Sequence, residues 1–335
     1  MSEITTNDIK DYLQKLEGRE ITLTQLRSEF NILPGSKSFD AVRNIMFQLG
    51  KQKIVKPTGR KAGNYKVITK VQPVQIFGIK RERRLPFDLI FPKDFDTGME
   101  MEFAEHIVIR EHDLITIGGQ SNWGKTTLAL NFGGENIHHR PVLMGNEYTT
   151  KVGETIQFEP TPRFLNRLDA MKWIQWTDEQ GFDKFTLLPV RDDYAEHIVK
   201  DKINIIDWIN LDADRLYDIS KIMDDIKAEL GRGIGIIVLQ KAEGSTAPRG
   251  GQFARDFTDC ELLIDKLSER ESLLTIGKVK EYTKPVIGKT YAFSISQGVK
   301  IINFREVKKC PDCRGQGYKA GKPCETCNTK KFVDA

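Results

Sequence analysis

Apolar side chains recur at helical spacing through the first fifty residues of the chain. Over residues 7–17 one helical face carries Ile9, Tyr12, Leu13 and Leu16. A short helix is predicted near 23–31, and a third over about 38–50 with Ser38 as its N-cap. The predicted inward face of the third helix comprises Phe39, Val42, Ile45, Met46 and Leu49.

A basic hairpin follows these helices. The segment KIVKPTGRKAGNYKVI predicts two strands, at 54–55 and 65–68, around a turn rich in Pro, Gly and Asn. Three small helices and a basic hairpin resemble a winged helix-turn-helix, whose third helix would read a DNA groove. Between Asp40 and Glu82 there is no carboxylate, and the basic residues are Arg43, Lys51, Lys53, Lys56, Arg60, Lys61, Lys66, Lys70, Lys80 and Arg81. We expect residues 1–70 to contact nucleic acid; protein docking and a solvated basic face are the alternatives.

The pattern changes after a linker at 71–95, which contains prolines and the charged cluster KRERR. Short apolar runs then alternate with helical patterns such as 126–132 and 213–230; the runs are LITIGG, PVLMGNE, FTLLPV, INIIDW, IGIIVLQ and LLTIGKV. Buried strands separated by helices predict an α/β domain with a mostly parallel, two-sided sheet over 96–305. The tail, 306–335, is expected to be a separate small module.

Residues 118–127, GGQSNWGKTT, lie between an apolar run and a helical pattern. Within them, residues 119–126 fit the P-loop pattern G-x-x-x-x-G-K-[ST]. Glycines let backbone N–H groups face phosphates, and the following helix presents its positive end to the same anion. Lys125 is expected to reach the β- and γ-phosphates of ATP, and the Thr126 hydroxyl to ligate Mg²⁺. The predicted nucleotide-binding residues are Gly119, Gln120, Ser121, Asn122, Trp123, Gly124, Lys125, Thr126 and Thr127.

Two carboxylates that follow apolar runs are candidates for the remainder of the site. Asp207 ends the run in INIIDWI, where a Walker B aspartate would hold Mg²⁺; a helix cap or surface residue is the alternative. Glu147, in VLMGNEYTT, closes the strand after the P-loop helix and is the candidate for activating water.

The order of these motifs resembles the RecA-like core, and most closely the DnaB-type replicative helicases and their phage relatives. The next strand ends in a glutamine, Gln240 of GIIVLQKAEG, as in that family. The resemblance covers about 95–300 and implies that Glu147 polarises the attacking water while Gln240 senses hydrolysis. It also implies ATP and Mg²⁺ as cofactors, a homo-oligomeric ring or filament, and single- or double-stranded DNA as a partner. The amino-terminal module differs from the family's, which leaves strand separation open.

Two later segments extend the resemblance. RGGQFARDFTDCELLID (249–265) is similar to the family's segment near the central pore and ends in a buried aspartate, here Asp259. A basic pore loop would hold single-stranded phosphates with Lys241, Arg249 and Arg255. IGKVKEYTKPVIGKTYAFSI (276–295) is similar to the stretch whose Lys-x-Arg pair reaches the neighbouring subunit's ATP.

In this chain that pair is Lys278 and Lys280. Lysine replaces the family's arginine at the second position and lacks the planar guanidinium fork. The two lysines lie at alternate positions of a predicted strand, so their side chains are expected to share one face. A solvated strand end is the alternative interpretation.

Four of the five cysteines lie in the last 26 residues. The segment CPDCRGQGYKAGKPCETC gives Cys310-x₂-Cys313 and, ten residues later, Cys324-x₂-Cys327. Two such knuckles predict a structural Cys₄ zinc ribbon, and the first half resembles one unit of the DnaJ-type cysteine-rich repeat. Cys260 stands apart and is expected to be a small core residue.

The composition adds limits. The 335 residues, 39% hydrophobic and 29% charged with a net charge of +4, are typical of a globular protein of two or three domains. No apolar run reaches the ~18 residues of a membrane span, so a cytoplasmic protein is expected. The leading interpretation is a DNA-dependent, RecA-like ATPase of replication or recombination. The alternatives are an ATP-switched DNA-binding regulator or initiator, and an adaptor that loads another motor.

Overall fold

The structure is a computed structural model that describes residues 4–59, 63–69, 73, 76, 85–153, 157–209, 218–242, 245 and 247–335. Of the predicted basic face, Arg60, Lys61, Lys70, Lys80 and Arg81 lie outside these residues, as does the KRERR cluster. The chain divides into two compact units, Met1–Lys80 and Arg81–Ala335.

The amino-terminal unit combines short helices with a small antiparallel sheet. In chain order its elements are α1 (Thr6–Gln14), β1 (Glu20–Thr22), α2 (Leu23–Glu29), α3 (Lys37–Lys51), β2 (Val55–Pro57) and β3 (Asn64–Val67). The strand order is β1-β3-β2, so the last strand lies between the other two. Strand β1 was not predicted from the sequence, because a three-residue strand with one buried side chain leaves no visible alternation.

Local polar contacts fix where these helices begin. Thr5 and Thr22 form capping boxes with Asp8 and Gln25 at the starts of α1 and α2. Helix α3 begins after Ser36, whose hydroxyl accepts the N–H of Phe39 at 3.3 Å. The prediction of Ser38 as the N-cap is therefore wrong by two residues, since Lys37 and Ser38 are already helical.

The core of this unit agrees with the apolar face predicted for α3. Val42, Met46 and Leu49 are buried, and Phe39 and Ile45 pack against them in part. Residues of α1, α2 and the sheet complete the cluster, so the unit has its own hydrophobic core.

A ten-stranded sheet dominates the second unit. Its strands and the smaller ones around it are β4 (Leu114–Gly119), β5 (Val142–Met144), β6 (Thr149–Lys151), β7 (Phe158–Pro160), β8 (Thr186–Leu188), β9 (Ile203–Ile206), β10 (Ile234–Gln240), β11 (Cys260–Lys266), β12 (Ser272–Val279), β13 (Thr290–Ser296), β14 (Lys300–Lys309), β15 (Tyr318–Lys319), β16 (Lys322–Pro323) and β17 (Phe332–Asp334). The helices are α4 (Lys125–Glu135), α5 (Pro162–Ala170), α6 (Ile219–Glu229) and α7 (Gly251–Phe257).

The sheet is parallel in its larger part. Six strands in the order β8-β5-β9-β10-β4-β11 pair in parallel, and β12, β13, β14 and β17 extend the sheet through antiparallel pairs. Alternate side chains of β10 pack into two different hydrophobic clusters, one on each face of the sheet. Ile236 and Val238 pack in one with Phe132 of α4, whereas Ile237 and Leu239 pack in the other with residues of α6. The α/β architecture with a mostly parallel, two-sided sheet is confirmed.

The tail is attached to the sheet at both ends. Strand β14 crosses the expected boundary between 305 and 306, because its pairing with β13 continues to Val307. After the cysteine segment, β17 returns and pairs with β14, with Val307 opposite Asp334 and Lys309 opposite Phe332. The cysteines therefore lie in the segment between β14 and β17, which pair at the edge of the sheet.

Two further features concern the burial of Cys260 and the length and polarity of the helices. Cys260, in β11, is fully buried in the main core, as expected. Within the part of the chain that the structure describes, every helix is too short or too polar to cross a membrane.

Candidate nucleotide-binding site

The P-loop motif lies where strand β4 gives way to helix α4. All six residues of β4 are buried, and the loop after it has Gly124 at φ 102°. A Cβ at Gly124 would lie 2.5 Å from Cδ1 of Ile295, and one at Gly119 would lie 2.7 Å from the carbonyl oxygen of Ile264. Glycine is therefore favoured at position 124 by the backbone angle and at position 119 by the close approach of a backbone carbonyl.

A cavity of about 520 Å³ opens over this loop. It brings together residues from four strand ends that the sequence predicted separately: Ser121, Asn122, Gly124, Lys125, Thr126, Thr127, Glu147, Asp207 and Gln240. Of the other predicted loop residues, Gln120 and Trp123 stabilise the loop through their carbonyl groups. The Gln120 carbonyl accepts Lys125 Nζ at 2.6 Å, and the Trp123 carbonyl accepts the Ser272 hydroxyl at 3.0 Å.

Close backbone packing places the two carboxylates on the same cavity. Strand β5 pairs in parallel with β9, so their carboxyl ends meet. At that edge Gly145 has φ 133°, and a Cβ there would lie 1.8 Å from the carbonyl oxygen of Asp207. Only glycine permits this contact, which brings the segment of Glu147 beside Asp207.

Asp207 is a fully buried carboxylate without a hydrogen-bond partner among the described residues, although the Thr126 and Tyr148 hydroxyls lie nearby. Burial raises its pKa to about 6, and the charge of Glu147 adds to this rise. The Thr126 and Tyr148 hydroxyls and the charge of Arg167 oppose it. Buried polar groups are normally satisfied, so two orphaned oxygens beside Thr126 are a fitting donor set for Mg²⁺.

Lys125 and Gln240 complete the polar wall of the cavity. Burial lowers the pKa of Lys125, while the charges of Asp207 and Glu147 oppose that change. Gln240 ends β10, which pairs with β4, and its side-chain amide donates to the Ser121 hydroxyl at 2.6 Å. A side chain at this position links the cavity to the loop that follows β10.

Sequence reasoning missed two arginines of this cavity, Arg163 and Arg167 of helix α5. The helix was not predicted, although Thr161 followed by Pro162 is a helix-start signal. The two arginines are four positions apart, so they lie on one helical face. Arg249 also lines the cavity, although it was expected in the pore loop.

Lys278 and Lys280 lie at the opposite end of the sheet from this cavity. Val279 pairs with Cys260 at the start of β11, whereas Gly119 pairs with Ile264 near its end. Lys278 Nζ donates to the Arg255 carbonyl at 2.5 Å, and Lys280 forms an ion pair with Asp259. Both amines contact the segment 255–259, and a role beside a neighbouring subunit's ATP stays a prediction.

Two cations of the expected pore loop are engaged within the chain. Lys241 Nζ lies 2.6 and 2.7 Å from the oxygens of Asp265, and its side chain is only 4% exposed. Arg255 lies 3.3 Å from Glu261 and also donates to the Gly277 carbonyl. The amine of Lys241 is thus buried in an ion pair, and its contact with DNA phosphates stays a prediction.

The four tail cysteines converge. Their sulfurs all lie within 4.8 Å of one another, with 3.8 Å between Cys310 and Cys324 and 3.6 Å between Cys313 and Cys327. A tetrahedral Zn²⁺ with Zn–S bonds of ~2.3 Å requires sulfur separations of ~3.8 Å. The cluster therefore has the size of a Cys₄ zinc site.

No protein-family model matches the chain, and a comparison with curated proteins finds no significant match. Among solved structures, a KaiC-like protein from Pyrococcus horikoshii OT3 is 18% identical, with a TM-score of 0.44, over 64% of this chain and 98% of that one. A RadB recombinase is 16% identical, with a TM-score of 0.42, over 57% of this chain and 90% of that one. Both likenesses are distant, so the roles proposed for individual residues rest on the geometry of this chain.

Proposed function

We propose that this chain is an ATPase with a RecA-like core that acts on DNA in replication or recombination, as a motor on single-stranded DNA. One observation carries the proposal. Lys125, Glu147, Asp207 and Gln240, which come from four separate segments, face one cavity above a P-loop. A phosphate cradle, a cation, an orphaned carboxylate and a second acid are the parts that ATP hydrolysis requires.

Each residue has a distinct task in this proposal. The loop N–H groups and Lys125 bind the phosphates. Thr126 and Asp207 would hold Mg²⁺, which would neutralise phosphate charge when bound. Glu147 orients a water molecule and accepts its proton, and Gln240 responds to the γ-phosphate through its contact with Ser121.

The amino-terminal unit is proposed to be a winged helix that binds duplex DNA. Its element order, α1-β1-α2-α3-β2-β3, supports this proposal, because β2 and β3 then form the wing and α3 the groove-reading helix. Exposed basic residues on these elements and in the turn between α3 and β2 supply the charge, namely Arg43, Lys53, Lys56 and Lys66. The tail is proposed to hold one structural Zn²⁺ through Cys310, Cys313, Cys324 and Cys327.

A second candidate, an ATP-switched DNA-binding regulator, is favoured by one observation. Ion pairs within the chain engage Lys241 and Arg255, and the amine of Lys241 is buried, which leaves fewer exposed cations for single-stranded phosphates. In such a protein the winged helix would supply the DNA contact, and ATP would control assembly.

ATP turnover measured without DNA, with single-stranded DNA and with duplex DNA tests the proposal. A motor should hydrolyse ATP faster with single-stranded DNA, and Lys125→Ala protein should show no turnover under any condition. Turnover that ignores single-stranded DNA would favour the regulator. Absence of turnover in the wild-type protein would contradict the ATPase itself.

A further inference from the structure

We propose that the cation that stabilises the transferred phosphate is supplied within the same chain, by Arg167 of helix α5 with Arg163 beside it. The inference rests on the proposed ATPase function and adds to it: each chain would contain a complete hydrolytic site. It replaces the expectation that a neighbouring subunit completes the site.

The first support is the attachment of α5 to the segment that carries Glu147. Thr161 caps the helix, its N–H donates to the Tyr148 carbonyl at 2.8 Å, and its hydroxyl donates to the Glu147 carbonyl at 3.1 Å. Phe164 is buried, with its ring 4.9 Å from that of Tyr148. The helix and the proposed water-activating residue therefore form one packed unit.

The second support is the direction of the two arginines. Arg163 and Arg167 line the cavity, whereas Phe164, between them in sequence, packs into the core. Both line the cavity, but Arg167 is half-buried whereas Arg163 is exposed. Among the described residues, neither guanidinium has a hydrogen bond or an ion pair at contact distance.

Two guanidinium groups without partners among the described residues, in a cavity above a P-loop, point to an anionic ligand. Arginine presents a planar set of N–H donors that matches phosphate oxygens, and it keeps its charge at all relevant pH values. Lys278 and Lys280, by contrast, have partners at the other end of the sheet. Arg249 shares the cavity but projects from the loop after β10, not from a helix fixed to Glu147.

The step that these groups serve is hydrolysis of ATP to ADP and inorganic phosphate. The water oxygen bonds to the γ-phosphorus while the bond from that phosphorus to the β–γ bridging oxygen breaks. The proton lost by water passes to Glu147 and then to solvent. Negative charge shifts to the bridging oxygen and the γ-oxygens, and Arg167 is placed to offset it.

The test separates binding from turnover in Arg167→Ala, Arg167→Lys and Arg163→Ala proteins, with Asn166→Ala as the control on the same helix. We expect Arg167→Ala to lower the turnover number about 10²-fold or more, with ADP affinity nearly unchanged. Retained ADP binding also shows that the variant is folded. Arg167→Lys should recover only part of the rate, because it restores charge without the fork. Arg163→Ala should have a smaller effect, about tenfold.

A mixing experiment determines whether the arginine acts within its own chain. Arg167→Ala and Lys125→Ala chains together contain no intact site if both residues serve the same chain, so their mixture should remain inactive. Restored activity would overturn the inference. Turnover per chain that stays constant on dilution to monomers, as measured by light scattering, would support it.

The remaining outcomes distinguish this inference from the proposed function. Wild-type protein that hydrolyses ATP, with Arg167→Ala within twofold of its rate, would overturn the inference alone. Wild-type protein that neither binds nor hydrolyses ATP would overturn the proposed function and the inference with it.

Discussion

The amino nitrogen of Lys280 lies 2.5 Å from Oδ1 of Asp259, whose side chain is only 3% exposed. The same carboxylate accepts the N–H of Leu114, the first residue of β4, at 2.8 Å and pairs with Lys227 of α6. Asp259 therefore joins three elements at the end of the sheet opposite to the nucleotide cavity. This network gives Lys280 a structural task within its own chain.

Replacement of Lys280 by Ala should destabilise the protein without stopping hydrolysis. Removing one partner from a buried carboxylate is costly, but Lys227 remains and Lys280 is half-exposed, so we expect a loss of about 1 kcal/mol in the free energy of unfolding. Urea unfolding measures this loss. Lys200→Ala, which breaks the exposed pair with Glu229, is the matched control and should cost less. Unchanged stability together with lost turnover would instead favour a role at a neighbouring subunit.

Glu147→Gln should retain ATP binding but lose turnover, because an amide cannot accept the proton of water. Lys125→Ala should lose binding, because it removes the cation that is proposed to bind the phosphates. Fluorescent-nucleotide binding and phosphate release measure the two effects. Glu159→Gln, at an exposed position of β7, is the control and should match the wild type. Wild-type turnover in Glu147→Gln protein would refute the assignment of Glu147 as the base.

The chemistry of the P-loop was predictable from sequence because it depends on neighbours in the chain. Asp207 and Gln240 could be predicted to meet at one cavity because each ends an apolar strand, and parallel strands bring such ends together. Arg163 and Arg167 were missed because their position depends on how α5 packs against Tyr148, which no local spacing encodes. Lys241 appeared to be free for DNA because its partner, Asp265, lies 24 residues later. Long-range partners decided which cations are available.

The purified protein should contain about one equivalent of zinc per chain. Cys313→Ser should lower the zinc content and loosen β17 from β14, because the folding of so small a segment is coupled to the metal. Metal analysis and hydrogen exchange of residues 332–334 measure the two effects. Cys260→Ala, which alters a cysteine outside the cluster, should retain the full zinc content. Freshly prepared, reduced protein that contains no zinc would rule out this site.

Neutralising Lys53, Lys56, Arg60 and Lys61 together should weaken duplex binding and reduce its salt dependence. The slope of log affinity against log salt should fall by about 0.9 for each DNA phosphate that the variant no longer binds. ATP turnover without DNA should not change, since the P-loop belongs to the other unit. Lys10→Ala with Lys15→Ala, within α1 and at its C-cap, is the charge control. An unchanged salt slope would indicate that the amino-terminal unit docks onto protein.

Stability near the start of β4 should depend on pH. Burial raises the pKa of Asp113 from 3.8 to about 6, although the N–H of Arg110, 2.7 Å away, opposes the change. Since the pKa in the folded state is the higher one, this group's contribution to stability is complete below about pH 4 and is lost as pH rises through about 6. Asp113→Asn keeps the acceptor and should add about 1 kcal/mol at pH 7.5, a figure discounted for partial exposure.

Urea unfolding of Asp113→Asn and wild-type protein at pH 7.5 and at pH 4 measures this effect. Most of the gain should disappear at the lower pH, where the wild-type carboxyl is protonated in the folded state and partly protonated in the unfolded state. An equal gain at both values would mean that the substitution acts through packing.

Because Cys260 is buried, the number of reactive thiols in the folded protein should measure how much of the proposed zinc site is empty. Its sulfur is enclosed in the sheet, and burial raises its pKa well above the ordinary value, so it should not react with a thiol reagent while the chain is folded. The other four cysteines would be shielded as zinc ligands. Any thiol that reacts in the native protein should therefore belong to a cysteine pair that holds no zinc. A colorimetric thiol assay would then follow zinc loss over time without a signal from Cys260.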